Sequence, residues 1–365
     1  MRTIGVVTTS RAEYGILRPV LKEISADPDL NLKLFVGGAH LSPEFGNTVE
    51  QIEFPIAEKV ECLMSSETPE GISKSMGLTC FGFAQAFGRT RPDILLITGD
   101  RFEAAAVALA AIPFKIPIAH LGGGDVTIGA FDESMRHAIT KMAHLHFCYA
   151  EDQAARVLQM GENPERVIVT GNPALDGLNA TYGTPLAKNA LVVIFHPVTL
   201  EYEHTDEYID NLLGALKQRT EPIVFILPNA DTAGRKILRK MRRFPGAQAH
   251  ANLIPPIYYD LLRHAKAMVG NSSSALMEAP SFDLPAVNIG TRQKGRLRGT
   301  NVIDVGYSTA EIIDGIEQAL KLRLKGTINP YGDGHAAPRI VQMLKNTSLD
   351  IIEKKFYNSN TSDKG

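Results

Sequence analysis

The feature that most restricts the fold is an alternation. Along the 365-residue chain, short apolar runs stop at a glycine or a polar residue and give way to stretches with apolar residues at helical spacing. Thr3-Ile4-Gly5-Val6-Val7-Thr8 reads as a buried strand. Ser10 to Gly15 turns the chain, and Leu17, Val20, Leu21 and Ile24 then line one face of a helix. Leu30 to Val36 is the next strand. A strand–helix–strand unit requires a parallel sheet and a right-handed crossover. In such sheets ligands sit beyond the carboxyl ends of the strands. Residues 41–68 are polar and irregular, and read as a mobile loop over that edge. The alternation resumes with a helix at about 70–89, a strand Asp93 to Thr98, an Ala-rich helix Glu103 to Ile112 and a strand Ile116 to Ala119. A helix from Asp132, a strand Leu145 to Tyr149, a helix Asp152 to Met160 and a strand Val167 to Thr170 complete the series.

From Gly171 to Lys188 the composition shifts to Asn, Pro, Gly and Thr, as in a domain linker. A second series follows, with strands at Leu191 to Phe195, Ile223 to Leu227, Leu253-Ile254, Ala265 to Val269 and 285–289. Its helices are expected at 206–219, 231–243, 258–264 and 309–323. The length exceeds that of a usual single domain. The expected fold is α/β, with two Rossmann-like, doubly wound domains, 1–175 and 185–330, facing one cleft. A last helix is expected at 335–346 and a disordered tail at 358–365.

Composition removes several function classes. With 44% apolar and 21% charged residues, the chain can bury full cores. A formal charge of −2 gives no bulk attraction to nucleic acid or to an anionic membrane. No stretch approaches the roughly 20 apolar residues of a membrane span, and Ile4 to Val7 is too short for a signal-peptide core. Cys62, Cys80 and Cys148 are sparse and form no metal-ligand spacing, which suits a reducing, cytoplasmic setting. His120, His137, His144 and His146 form no tight ligand set either, so no metal is expected.

The functional signal is positional. Gly270-Asn271-Ser272-Ser273-Ser274 follows an apolar segment and opens the helical composition Ala275 to Ala279. A strand that ends at Gly and delivers hydroxyls into a helix start is a seat for a diphosphate, because free N–H groups and the helix dipole favour negative charge. The plainer alternative is a Ser N-cap. Arg11, Asp100, His120, Asp125, His196, Asn229, the three serines and Arg292 all follow apolar strand stretches. Such positions share one edge of a parallel sheet, so two domains can converge them on one ligand. Singly, each reads as well as a helix cap. Arg11 and Arg292 suit phosphate oxygens, Ser272 and Ser273 suit charge on a departing diphosphate, and Glu278 suits a ribose diol. Asp100, Glu103, Asp125, Asp132 and Glu133 supply carboxylates for acid–base work. His196, held extended by Pro197, suits an acid or an electrostatic partner.

Seven stretches carry a resemblance. Ser10-Arg11-Ala12-Glu13-Tyr14-Gly15, Gly99-Asp100-Arg101, Asp132-Glu133 with Arg136-His137-Ala138-Ile139-Thr140-Lys141, His196-Pro197-Val198-Thr199, Gly270-Asn271-Ser272-Ser273, Gly290-Thr291-Arg292-Gln293 and Tyr331-Gly332-Asp333-Gly334 resemble the hydrolysing UDP-N-acetylglucosamine 2-epimerases of sialic- and legionaminic-acid pathways. The likeness runs in order from residue 1 to about 346. It implies a glycosyltransferase-B-type fold, nucleotide mainly on the second domain, a last helix crossing back onto the first, and a homodimer or dimer of dimers. It also implies that Ser272, Ser273 and Arg11 hold the diphosphate and Glu278 the ribose, with Asp100, Glu133 and His196 at catalytic positions. One departure stands out: many relatives read His-x-Glu-Gly-Gly-Glu where this chain has His120-Leu121-Gly122-Gly123-Gly124-Asp125. The first carboxylate of that motif is Gly122 here. Asp125 or Glu133 can compensate, or the glycine opens room for another sugar.

The C2–H of a saturated sugar is barely acidic, so the expected route breaks C1–O first. UDP leaves, Asp100 or Glu133 removes the C2 proton to give a glycal, and water adds with the opposite C2 configuration. The products are a free manno-configured sugar and UDP, with no cofactor. UDP-GlcNAc and UDP-2,4-diacetamido-2,4,6-trideoxyglucose both fit, and a GDP-linked analogue stays open. The rival readings are a non-hydrolysing 2-epimerase, a glycosyltransferase and a non-catalytic nucleotide-sugar binding protein.

Overall fold

A computed structural model of the chain describes all residues except 65–67, 129–130, 179–182, 184, 228–233, 252 and 359–365. Two compact units emerge. The first comprises Met1–Asp125, Asp132–Asp176 and Tyr331–Gly365, and the second Val126–Phe131 and Gly177–Pro330. The short segment Val126–Phe131 lies within the stretch expected to be wholly first-domain, yet it groups with the second unit, where Arg296 donates to the Val126 carbonyl at 3.0 Å.

Among the described residues the first unit is built on seven parallel strands: β1 (Arg2–Thr8), β2 (Leu30–Gly37), β3 (Ile56–Val60), β4 (Ile94–Thr98), β5 (Ile118–Leu121), β6 (Leu145–Cys148) and β7 (Val167–Val169), in the order β3-β2-β1-β4-β5-β6-β7. Ile4, Val6, Leu34, Ile94, Leu95 and Leu96 are fully buried, as expected where helices cover both faces of a parallel sheet. The helices are α1 (Arg11–Ala26), α2 (Pro69–Arg89), α3 (Phe102–Ala111), α4 (Asp132–Met142) and α5 (Glu151–Gln159). Ser10 and Glu13 close a reciprocal capping box at the start of α1, which satisfies two of that helix's orphan N–H groups.

Among the described residues the second unit has six parallel strands, β8 (Leu191–Ile194), β9 (Ile223–Ile226), β10 (Gln248–His250), β11 (Ala267–Gly270), β12 (Ala286–Ile289) and β13 (Val302–Val305), in the order β10-β9-β8-β11-β12-β13. Helices α6 (Thr205–Leu216), α7 (Gly234–Arg242), α8 (Pro255–His264), α9 (Ser274–Met277) and α10 (Thr309–Lys321) cover it. Leu191, Val193, Phe195, Ile209, Leu212, Phe225, Val269 and Ile316 form its core. Both sheets therefore reverse strand order at one point, between β1 and β4 and between β8 and β11. In open α/β sheets ligands bind at such switch points.

A last helix, α11 (Ala336–Asn346), packs on α1 in the first unit. Lys345 pairs with Asp27 at 2.9 Å and Asp29 at 2.7 Å. Beyond it, Lys354 donates to Glu162 Oε2 at 2.7 Å and to the Ala143 carbonyl at the end of α4.

Several expected elements differ. The stretch 41–68 holds the edge strand β3 and three short 3-10 turns between Gly38 and Gln51. Leu253-Ile254 is not a strand: β10 ends at His250, and Ile254 is the N-cap of α8. β13 falls where no strand was expected. Helix α9 is a single turn, continued by a 3-10 turn at Ala279–Phe282. The start of the expected 231–243 helix and almost all of the expected tail lie outside the described residues.

Candidate active site

The switch point of the first unit carries a charged constellation centred on a residue the sequence reading did not single out. Arg136, on the first turns of α4, is 1% exposed. Its guanidinium is bonded to Asp100 through both Nε (3.1 Å) and Nη2, while Nη1 donates to the Asp125 carbonyl at 2.7 Å and to Glu133 Oε2 at 2.5 Å. Burial opposes the charge on Arg136, but Asp100, Asp125 and Glu133 outweigh it and hold the group protonated. His137 Nε2 lies 3.2 Å from Glu133 Oε1. Glu133, Arg136 and His137 share a helix face at i, i+3 and i+4 spacing. Three expected carboxylate positions, Asp100, Asp125 and Glu133, thus meet around one cation. Glu103 does not join them. It is 1% exposed and pairs with Arg101.

His120 fixes the floor beneath. Its Nε2 contacts the Gly99 carbonyl at 2.8 Å and its Nδ1 the Thr140 hydroxyl at 3.4 Å. Burial lowers its pKa to about 4, so the ring is neutral and ties the ends of β4 and β5. Arg11 stands at the first position of α1. Burial lowers its pKa, and its Nη1 is buried with no hydrogen-bond partner among the described residues. A guanidinium is chemically suited to pair with an anion. Nearby His40 is held between Thr8 (3.0 Å) and Thr48 (2.8 Å), with a pKa lowered by burial to about 4.

The second unit gathers most of its expected residues around one turn. Gly270 has φ +140°, and a Cβ there would lie 1.9 Å from the Ile194 carbonyl oxygen. Only glycine lets β11 pass so close to β8. The next residue, Asn271, is fully buried and pairs with the backbone of His196 in both directions: Oδ1 accepts from His196 N at 2.7 Å, and Nδ2 donates to His196 O at 2.8 Å. The Asn271 carbonyl accepts from Arg292 at 3.1 Å and Gln293 at 2.8 Å. His196, the serine turn and Arg292 are therefore one bonded assembly. Ser272 Oγ accepts from Ser274 N at 3.3 Å, and Ser274 Oγ is bonded to the Tyr258 hydroxyl. Ser273 Oγ has no partner among the described residues. Glu278 lies one turn on, and burial raises the pKa values of both Glu278 and Tyr258. The serines thus act less as a helix dipole, since α9 is one turn long, than as hydroxyls and N–H groups of a rigid loop. Asn229 lies outside the described residues.

Residues 22–345 match the family model for UDP-N-acetylglucosamine 2-epimerase. The chain belongs to this family. It is 35% identical to the hydrolysing UDP-N,N'-diacetylbacillosamine 2-epimerase of Legionella pneumophila, over 96% of this chain and 97% of that protein. It is 39% identical to the hydrolysing GDP/UDP-N,N'-diacetylbacillosamine 2-epimerase of Campylobacter jejuni, over 83% of this chain and 84% of that one. In fold it matches the UDP-GlcNAc 2-epimerase of Neisseria meningitidis bound to UDP-GlcNAc, with a TM-score of 0.79, 20% identity, and coverage of 94% and 99% of the two chains.

Against this epimerase background Gly122 has a physical account. Its φ is +87°, and a Cβ would meet the Tyr149 hydroxyl at 2.8 Å. At the level of Cβ the glycine opens no room, because the phenol occupies it. Among the described residues no cluster of three or more His, Cys, Asp or Glu forms a metal site, and no helix is long and apolar enough to cross a membrane. All three cysteines are free.

The sequence reading quoted Arg136 and Asn271 within its motifs but gave neither a role, and it placed neither Tyr258 nor Tyr149 at a site. Arg136 left a further readable trace, the Glu133/Arg136/His137 spacing on one helix face.

Proposed function

We propose that the chain is a hydrolysing 2-epimerase of a UDP-linked 2-acetamido sugar, releasing UDP and the free manno-configured sugar. The observation that carries this reading is the joint hold of Asp100 and Glu133 by the buried Arg136 in a chain of the 2-epimerase family. The names of the two relatives support UDP-2,4-diacetamido-2,4,6-trideoxyglucose as first substrate, with UDP-GlcNAc as second.

In this mechanism Ser272, Ser273, Arg11 and Arg292 stabilise the UDP leaving group as C1–O breaks, and Glu278 accepts from the ribose diol. Asn229 contributes to the same nucleotide seat. Oxocarbenium character at C1 acidifies C2–H. Asp100 or Glu133 removes that proton, forming a glycal, with Arg136 keeping both carboxylates ionised and oriented. Asp125 flanks the same guanidinium and takes the role of the carboxylate that Gly122 lacks. Water then adds to C1 as a proton returns to C2 from the opposite face, with His196 as acid or electrostatic partner. No cofactor or metal enters. The family resemblance further supports a cytoplasmic homodimer that feeds sialic- or legionaminic-type nonulosonic acid synthesis.

The test is a panel of UDP-GlcNAc, UDP-2,4-diacetamido-2,4,6-trideoxyglucose and its GDP analogue, followed by phosphorus NMR. Free UDP with a free manno sugar is expected. Epimerised sugar still attached to UDP, or no turnover with any donor, overturns the reading.

A further inference from the structure

The one-turn helix α9 joins the serine turn to Glu278, and its backbone is pinned from two sides. Asn301, fully buried, donates from Nδ2 to the Ala275 carbonyl at 3.1 Å, and Asn329 Nδ2 donates to the Met277 carbonyl at 2.7 Å. These amides satisfy carbonyls that so short a helix leaves orphaned. Ser274 and Glu278 stand at i and i+4, and the Glu278 N–H donates to the Ser274 carbonyl at 3.0 Å. Their side chains therefore share one face. What the backbone leaves open is the aim of the carboxyl group.

Tyr258, on α8, supplies that aim. Its hydroxyl is bonded to Ser274 Oγ. Burial disfavours the ionised form of Glu278, while hydrogen bonding from the Ser274 hydroxyl favours it. A carboxylate only accepts, so the serine proton points to Glu278 and the phenol donates to the serine oxygen. Burial, with the Glu278 charge close by, keeps the phenol protonated for that task. The bonds thus run one way, from Tyr258 to Ser274 to Glu278. At the end of this chain Glu278 Oε2 is buried without a hydrogen-bond partner among the described residues. A buried acceptor without a donor is costly, and a vicinal diol brings two donors.

We infer that Tyr258 is a positioning residue for nucleotide binding, aiming the unpartnered oxygen of Glu278, through Ser274, at the ribose diol of UDP. This deepens the hydrolysing-epimerase reading and rests on its assignment of Glu278 to the ribose. The Tyr258 oxygen then bears on the diol alone, and not on the diphosphate or the sugar that is epimerised.

The test is calorimetric binding of UDP and of 2′,3′-dideoxy-UDP, which lacks both diol hydroxyls. The full chain is compared as wild type, Tyr258→Phe and Ser274→Ala, with Tm recorded for each. Wild type is expected to bind UDP about tenfold tighter than the dideoxy nucleotide. Tyr258→Phe should weaken UDP about threefold to tenfold, the size of one hydrogen bond, and leave dideoxy affinity within about twofold at unchanged Tm. Ser274→Ala cuts the chain in its middle and should shrink the same preference. Adding Tyr258→Phe to it should then change UDP affinity by less than about twofold, because the two residues act as one unit. A Tyr258→Phe variant that keeps the wild-type preference overturns the assignment alone. So does one that loses both nucleotides equally, as a merely structural tyrosine would. A wild type that hydrolyses its sugar nucleotide yet binds UDP and dideoxy-UDP alike overturns the assignment and leaves the reaction standing. A wild type that binds neither nucleotide and releases no UDP overturns the functional reading, and this assignment with it.

Discussion

The two switch points solve opposite electrostatic problems. At the first, three acidic residues surround one buried guanidinium, so charge is retained by pairing. At the second, hydroxyls, amides and a carboxyl group whose pKa is raised by burial are organised by Asn271 and the backbone, so the loop awaits charge from outside. A buried ion pair is expensive to assemble and more expensive to break. Its presence at the end of β4 fits a place where carboxylates must stay ionised and aimed. The serine turn needs rigidity instead, because a dianionic guest brings its own charge. In the function proposed above, the same parallel-sheet geometry serves proton chemistry in one unit and anion binding in the other.

The largest expected effect comes from unpairing the first switch point. Arg136→Met should leave Asp100 and Glu133 without their common partner and destabilise the first unit by about 3–5 kcal/mol. UDP release should drop by about 100-fold or more, while calorimetric binding of UDP is retained. A variant that loses UDP binding in proportion to turnover would erase the contrast.

Next comes the glycine that lets β11 approach β8. Gly270→Ala combines a positive φ with a Cβ 1.9 Å from the Ile194 oxygen. A loss on the order of 3 kcal/mol is expected, read as a lowered denaturant midpoint, with UDP affinity reduced. Asn271→Ala is a gentler cut at the same loop. It strips two hydrogen bonds from the His196 backbone and should cost about 1–3 kcal/mol, weakening UDP binding without altering the Arg136 network.

These residues also mark what the sequence could and could not say. Strands buried on both faces print continuous apolar runs, so β1, β4 and β8 and the polar residues after them were legible. The edge strand β3 was hidden because Ile56-Ala57-Glu58-Lys59-Val60 alternates with exposed positions and looks like a loop. A buried arginine is indistinguishable in sequence from a solvated one, which concealed Arg136. Gly122 was visible as a departure, but its cause is a phenol 27 residues away (149 − 122), and no local pattern encodes that contact. The serine turn was recognised from its composition, whereas the shortness of α9 depends on Pro280 and the tertiary setting.

The effects expected from pH appear only away from neutrality, and they differ in sign. Glu162, beneath the end of α4, is 3% exposed. Burial raises its pKa, but hydrogen bonds from His146, Lys141 and Lys354 outweigh that and bring it down to about 2. Its contribution, on the order of 3 kcal/mol, is present above about pH 4.5 and lost as pH falls toward 2. Glu162→Gln should therefore remove acid-dependent stability from the first unit. Glu278 runs the other way. Its raised pKa means that its contribution is present at low pH and lost as pH rises through the folded value. Wild type should lose stability relative to Glu278→Gln on going to higher pH, in chemical denaturation followed across the pH range.

The central claim, that carboxylates held by Arg136 exchange the C2 proton after UDP departs, is tested most directly by turnover in deuterated water. The account predicts a free manno-configured sugar carrying one deuterium at C2, together with stoichiometric UDP. A released sugar with protium at C2 would contradict it.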